Sequence, residues 1–298
     1  MDRTLPKLIV ILGPTGSGKT DLGIAVAKKY NGEIISADSR QIYKQMNIGT
    51  AKPKGEWQDG AYTVNGVPHY LMDIINPDEN FTVADFKEQA TFHINDILKR
   101  KKLPIIVGGT GLYIQSIVDN LDIPKVAPST ELRSELEKKT QPELIEILKQ
   151  LDPESAEKID LKNPRRVLRA LEVAMITGES FFNQRKKQVP LYDAKEFGIN
   201  ISKEELYRRL DARVDQQIKD GLVEEVKNLS QKYSWDLPSM SGIGYKQIGC
   251  FLRGEMTLEQ AIEVLKRDTR RYAKRQMTWF KKDQRINWIT DLEEFHLP

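Results

Sequence analysis

The sequence predicts an α/β chain in which a parallel β-sheet is flanked by helices and interrupted by a helical insert. Three observations carry that reading. Short apolar strands alternate with amphipathic helices, the order that builds a parallel sheet covered on both faces. A glycine-rich segment, Gly13 to Thr20, joins the first strand to the first helix. From Asn120 to about Tyr192, strand signals give way to charged, mostly helical segments broken by prolines.

Lys7 to Leu12 is aliphatic and β-branched, and the Ala/Lys-rich stretch after the glycines runs to Tyr30, giving strand, loop, helix. Glu33 to Ala37 is a second buried strand. Thr82-Val-Ala-Asp85 has the form of a capping box, the threonine hydroxyl placed to accept from a first-turn N–H, and opens a helix to about Lys102. Pro104 to Val107 is a third strand. Pro124, Pro128, Pro142, Pro153 and Pro164 punctuate the insert, and Thr177-Gly178 closes it. Glu196 to Ile201 returns the chain to the sheet, and Ser202 caps a helix through Arg213 to roughly Lys219. Thr257-Leu-Glu-Gln260 caps a long helix that puts Ile262, Leu265, Thr269, Tyr272, Gln276 and Trp279 on one face. That face is expected to pack against the core rather than stack on bases. The expected division is 1–119 for the first part of the core, 120–192 for the insert, and 193–298 for the rest.

At 298 residues the chain is long for one core, and 39% hydrophobic with 30% charged residues excludes a disordered chain. The apolar run Leu8 to Leu12 is too short for an export signal or a membrane span, so a cytoplasmic protein is expected. One cysteine, Cys250, excludes an internal disulfide and a Cys-based zinc finger, and reads as a buried structural thiol. The net charge of +3 is nearly neutral, but its distribution is uneven. Between Glu259 and Lys282, the residues Lys266, Arg267, Arg270, Arg271, Lys274, Arg275, Lys281 and Lys282 face only Glu259, Glu263 and Asp268. Such a basic stripe is a candidate nucleic-acid footprint.

Gly13-Pro14-Thr15-Gly16-Ser17-Gly18-Lys19-Thr20 satisfies G-x-x-x-x-G-K-[ST] between a strand and a helix. The glycines let successive N–H groups point at phosphate oxygens and the helix N-terminus adds partial positive charge. Lys19 reaches the terminal phosphates and Thr20 can ligate Mg²⁺. The core is therefore expected to be P-loop NTPase-like. A nucleotide such as ATP and a diphosphate ester present the same two phosphates to this loop, so the ligand stays open. Asp38, ending the second strand, reads three ways: a metal-associated aspartate, an N-cap, or a general base. Gln41 can donate and accept at once against a base edge.

Further motifs narrow the choice: Asp-Ser-Arg-Gln-Ile-Tyr at 38–43, Asn-Ile-Gly-Thr-Ala-Lys-Pro at 47–53, and Gly-Gly-Thr-Gly-Leu-Tyr at 108–113. Arg-Ala-Leu-Glu at 169–172, Gly-Tyr at 244–245 and Arg-Tyr-Ala-Lys-Arg-Gln-Met-Thr-Trp-Phe at 271–280 follow. With the glycine loop, these resemble tRNA dimethylallyltransferases of the bacterial type, from about residue 7 to 290. The resemblance implies that the loop holds dimethylallyl diphosphate with Mg²⁺. It makes Asp38 the general base that helps the N6 amine of the adenosine 3′ to the anticodon attack the prenyl carbon. Thr15, Lys19 and Thr20 would hold the diphosphate and Mg²⁺, with Arg213 as a second clamp; from the residues alone Arg213 reads as an exposed helix arginine. Asp38, Ser39, Arg40, Gln41, Thr110, Arg133, Pro164, Arg165, Arg166 and Val167 would meet the anticodon stem-loop. The resemblance also implies a cytoplasmic monomer with no membrane partner, and no zinc-finger tail follows residue 290. Two departures stand out: His69-Tyr70 where the family usually has two histidines, and Lys281 where arginine is common. Three rivals remain on the residues alone: an NTP-dependent small-molecule kinase, a prenyltransferase for free adenine nucleotides, and an RNA-binding ATPase.

Overall fold

The structure, a computed structural model of the chain, describes residues 4–123, 126, 129–183, 186–291 and 293–296. Pro124 and Pro128 lie outside these. The chain divides into two compact units, Met1–Val118 with Leu191–Pro298, and Asp119–Pro190.

In the first unit, β1 (Lys7–Leu12) is buried at every position after Lys7, as an aliphatic strand must be when both faces of a parallel sheet are covered. The glycine loop leads into α1 (Lys19–Lys29) and then β2 (Gly32–Ala37). Next come β3 (Glu56–Gln58), β4 (Ala61–Val64) and β5 (Val67–Tyr70). After them α2 (Val83–Lys99), β6 (Leu103–Gly108) and α3 (Gly111–Val118) close this half. The α2 capping box forms as its residues require: Thr82 Oγ1 accepts from the Asp85 N–H and Asp85 Oδ2 from the Thr82 N–H. The helix ends before Lys102 because Lys101 turns to φ 57°.

The second unit is helical: α4 (Thr130–Glu137), α5 (Gln141–Leu151), α6 (Pro153–Lys158) and α7 (Pro164–Thr177). Leu136, Leu144, Leu148, Val167 and Leu171 form its core. Glu172 is fully buried there, where it accepts from Arg133, Arg169 and the Ser129 N–H. Removal from water opposes its ionisation, and these donors outweigh that, holding its carboxyl below the ordinary range.

The chain then returns to the first unit through β7 (Asp193–Ile199), α8 (Lys203–Lys219), α9 (Leu222–Ser230), α10 (Tyr245–Leu252), α11 (Leu258–Phe280) and β8 (Asn287–Ile289). β7 starts before the expected Glu196 and ends before Ile201, where Ser202 accepts from the Glu205 N–H as the cap of α8. The sheet order is β3-β4-β5-β2-β6-β1-β7-β8. From β5 to β8 the neighbours are parallel, and β3, β4 and β5 form an antiparallel edge. Helices α2 and α3 bury Phe86, Ile94 and Ile114 on one face, while α1 buries Ile24 and Val26 on the other. Leu12 and Ala37 both stand opposite Gly108, so the loops following β1, β2 and β6 open at one edge. Ligands gather at that edge of parallel sheets. Cys250 is half-buried rather than buried; burial and Glu255 raise its thiol, which disfavours a reactive thiolate. Among the described residues, no helix is long and apolar enough to cross a membrane.

Candidate functional site

The loop between β1 and α1 gets its shape from glycine. Gly18 immediately precedes α1 with φ 94°, where side-chain-bearing residues are strained. Gly16 has φ 85°, and a Cβ there would lie 2.8 Å from Leu210. Lys19 and Thr20 then start the helix, beside the positive end of its dipole. Lys19 Nζ donates to the Pro14 carbonyl at 3.4 Å. Burial, with the Arg213 guanidinium nearby, lowers the ammonium to about 8, against the pull of Asp38. Two like cations near one loop, both partly stripped of water, suit the binding of an anion there.

Arg213, on α8, donates to Thr15 Oγ1 at 3.2 Å. Burial lowers its pKa, with Asp21 opposing. The reading as an exposed helix arginine is therefore corrected: α8 turns this residue onto the loop. Thr15 is held a second time, its N–H donating to Gln276 Oε1 at 2.9 Å. Gln276 Nε2 in turn donates to the Gly109 carbonyl at 2.9 Å, so one buried amide ties the loops after β1 and β6 to α11. The sequence showed Gln276 only as a member of a packing face.

Asp38 ends β2. Its Oδ1 accepts from the Arg40 N–H at 2.8 Å and the Gln41 N–H at 3.3 Å, which orients the carboxylate by its own backbone. The Ser39 N–H donates to Thr110 Oγ1 at 3.1 Å, and the Thr110 N–H to the Ala37 carbonyl at 3.1 Å, locking the β2 and β6 loops together. Arg40 donates to the Pro238 carbonyl at 2.6 Å. Gln41 Nε2 donates to the Thr50 and Ala51 carbonyls at 3.2 Å each. Its amide N–H groups are thus engaged in holding the 50–51 turn, which leaves them poorly placed to read a base edge.

Thr15, Asp38, Arg40, Arg213, Tyr272 and Gln276 share the wall of one pocket of about 330 Å³. Tyr272 faces this pocket, so packing does not account for the whole α11 face; burial, with Asp38 adding to it, raises its phenol to about 12 and keeps it a neutral donor. The basic stripe is partly spent internally: Lys266 pairs with Asp215, Arg270 with Asp211, and Arg267 and Arg271 with Asp268. Arg275 joins the pocket wall, and Lys274, Lys281 and Lys282 are exposed.

In the second unit, Pro164, Arg165 and Arg166 are exposed at the start of α7, with Asn163 as the cap. One expectation is corrected there. Val167 is fully buried in the unit's core and offers no side-chain surface to RNA. Arg133 is joined to Glu172 through two bonds of 3.0 Å, so its guanidinium neutralises a buried carboxylate.

Among the described residues, no cluster of three or more His, Cys, Asp or Glu side chains is placed to hold a metal. Mg²⁺ in a phosphate site keeps several waters and takes most remaining oxygens from the substrate. Thr20, in the first turn of α1, has the hydroxyl that would serve as the protein's ligand to such an ion.

Thr15 of the glycine loop, Arg213 and the Asp38 carboxylate share one pocket at the carboxyl edge of a P-loop NTPase-like sheet, an arrangement that suits an enzyme acting on a phosphate-bearing ligand. Similarity makes this particular. A profile described as IPP transferase matches residues 41–283, and one described as isopentenyl transferase matches residues 6–71. The tRNA dimethylallyltransferase of Acetivibrio thermocellus is 47% identical over 293 residues, 96% of this chain and 92% of that protein. The crystal structure of the full-length tRNA isopentenylpyrophosphate transferase of Bacillus halodurans superposes with TM-score 0.70 at 41% identity, covering 95% of this chain and 89% of that one. A eukaryotic dimethylallyltransferase acting on tRNA superposes with TM-score 0.77 at 32% identity, covering 97% and 75%. The chain belongs to the tRNA dimethylallyltransferase family, which is a family of prenyltransferases.

Proposed function

We propose that this enzyme moves the dimethylallyl group of dimethylallyl diphosphate onto the N6 amine of the adenosine 3′ to the anticodon in tRNA, releasing diphosphate. One observation carries the reading: Asp38 and the Thr15–Arg213 pair of the phosphate loop line the same pocket. A base and an anion clamp lining one space suit a displacement at carbon. The loop N–H groups, Lys19 and Arg213 take up the negative charge that gathers on the leaving diphosphate as its carbon–oxygen bond breaks. Mg²⁺, held with the help of Thr20, would neutralise part of that charge. The adenine amine is a poor nucleophile because its lone pair is delocalised into the ring. Asp38 accepts an amine proton as the nitrogen–carbon bond forms, which keeps the product neutral.

Ser39, Arg40 and Thr110, next to Asp38, position the tRNA end of the pocket in this reading, and Pro164, Arg165 and Arg166 meet the anticodon stem-loop. The relatives, tRNA dimethylallyltransferases, support tRNA as acceptor.

Asp38→Asn tests the chemistry. The amide preserves size and hydrogen-bond acceptance but cannot take the proton. Both substrates should bind nearly normally, while the single-turnover rate at saturation falls roughly 10²- to 10⁴-fold, the usual worth of a general base. An unchanged rate would remove Asp38 as the base. Transfer of phosphate from ATP, with no product from dimethylallyl diphosphate, would return the kinase reading.

A further inference from the structure

His69, on β5, is almost wholly removed from water. Its Nδ1 lies 2.9 Å from the Val67 carbonyl oxygen. A carbonyl only accepts, so Nδ1 carries the proton, and the other nitrogen of the neutral ring, Nε2, is a bare acceptor. Burial favours that neutral form, with the Val67 carbonyl opposing. Among the described residues, no donor reaches Nε2. The ring borders a cavity of about 20 Å³ whose wall includes Thr20, Ser36, Asp38 and Gln41. A polar cavity of that size holds one water with several partners.

Asp38 belongs to the walls of both this cavity and the larger pocket. Its backbone contacts, from the Arg40 and Gln41 amides, reach only Oδ1. They leave the plane of the carboxylate to be set by something on the cavity side.

We propose that His69 is a positioning residue for Asp38, its Nε2 accepting a hydrogen bond from one buried water that donates its second proton to the Asp38 carboxylate. The water presents its two donors to the orphaned Nε2 and to a carboxylate whose protein donors reach only Oδ1. Its own oxygen meets the hydroxyl of Ser36 or Thr20, or the Lys19 ammonium, which share the cavity wall. The carboxylate is thereby held with one face toward the substrate pocket before the adenosine arrives. This deepens the reading of Asp38 as the base and rests on it.

The test uses the full-length enzyme with dimethylallyl diphosphate, Mg²⁺ and unmodified tRNA. His69→Leu removes the acceptor at similar volume, and His69→Gln restores a carbonyl acceptor near Nε2. The Leu variant should lose about tenfold in single-turnover rate with both substrates saturating, as orienting partners of catalytic groups commonly do. Affinity for donor and tRNA should hold, and Gln should recover most of the rate. In an Asp38→Asn background, His69→Leu should cost nothing further. A crystal structure that resolves waters should show one between His69 Nε2 and Asp38. The inference is overturned by an unchanged saturating rate in His69→Leu, by a dry cavity, or by a loss confined to the Mg²⁺ requirement. If the Leu variant does not fold, a folded Gln variant with no recovery of wild-type rate and no water in the cavity overturns it equally. Should Asp38→Asn slow transfer while His69→Leu does not, the base stands and only the role of His69 falls. Should Asp38→Asn keep full rate, the base reading itself has failed.

Discussion

Lys19 is a residue whose charge state depends on what it binds. Alone in the loop, burial and Arg213 hold its ammonium at about 8, below the ordinary lysine range. A diphosphate beside it favours the charged form and raises that value. Binding above pH 8 therefore takes up a proton, and donor affinity should be full below the free value and fall as pH rises through it. Calorimetry in buffers of differing ionisation enthalpy would report the uptake. Lys19→Arg, charged at every relevant pH, should bind without it, whereas Lys19→Ala should lose diphosphate binding and stay folded. Unchanged donor affinity in Lys19→Ala would detach the loop from the diphosphate. The motif made this residue legible because glycines, lysine and threonine are contiguous. Arg213 was not legible from its own surroundings, since its partner Thr15 is 198 residues away and only the packing of α8 joins them.

At the scale of elements, the buried strands were the clear part. β1, β2 and β6 are covered on both faces and so read as short aliphatic runs. The β3–β5 edge was missed, although Asp59-Gly60 and Asn65-Gly66 are strong turn pairs with φ near 50° at Asp59 and Asn65. β3 is exposed throughout and Pro68 interrupts β5, so neither carries an aliphatic run, and the turns were the only usable signal. Gln276 shows the same limit from the other side. Helical spacing places it on the inward face of α11 but cannot say that its amide meets Thr15 and Gly109. Gln276→Leu would keep the packing and strand a buried N–H and C=O, at a cost of about 1–3 kcal/mol. A lowered melting temperature together with weaker donor binding is the expected outcome. Loss of stability with unchanged donor affinity would make Gln276 a core residue only.

For the whole molecule, the question is where a long, evenly charged substrate is gripped. Net charge gives no answer at +3, and four basic residues of the α11 stripe are paired with aspartates of their own unit. In the second unit Arg133 and Arg169 are both drawn to Glu172. Arg165 and Arg166 differ from these in standing exposed in the first turn of α7, where the positive end of the helix dipole adds to two guanidinium groups. Phosphates bound there release counterions, so the contribution to tRNA affinity must depend on salt. Reversing both charges with Arg165→Glu and Arg166→Glu should weaken tRNA binding at low salt and flatten the plot of log affinity against log salt by about one unit per lost contact. The gap from wild type should narrow as salt rises. Both side chains are exposed and lie outside the core of their unit, so the melting temperature should hold, and affinity for dimethylallyl diphosphate is the internal control. Equal losses for donor and tRNA would mean a damaged fold, and an unchanged tRNA isotherm at low salt would move the anticodon stem-loop off α7.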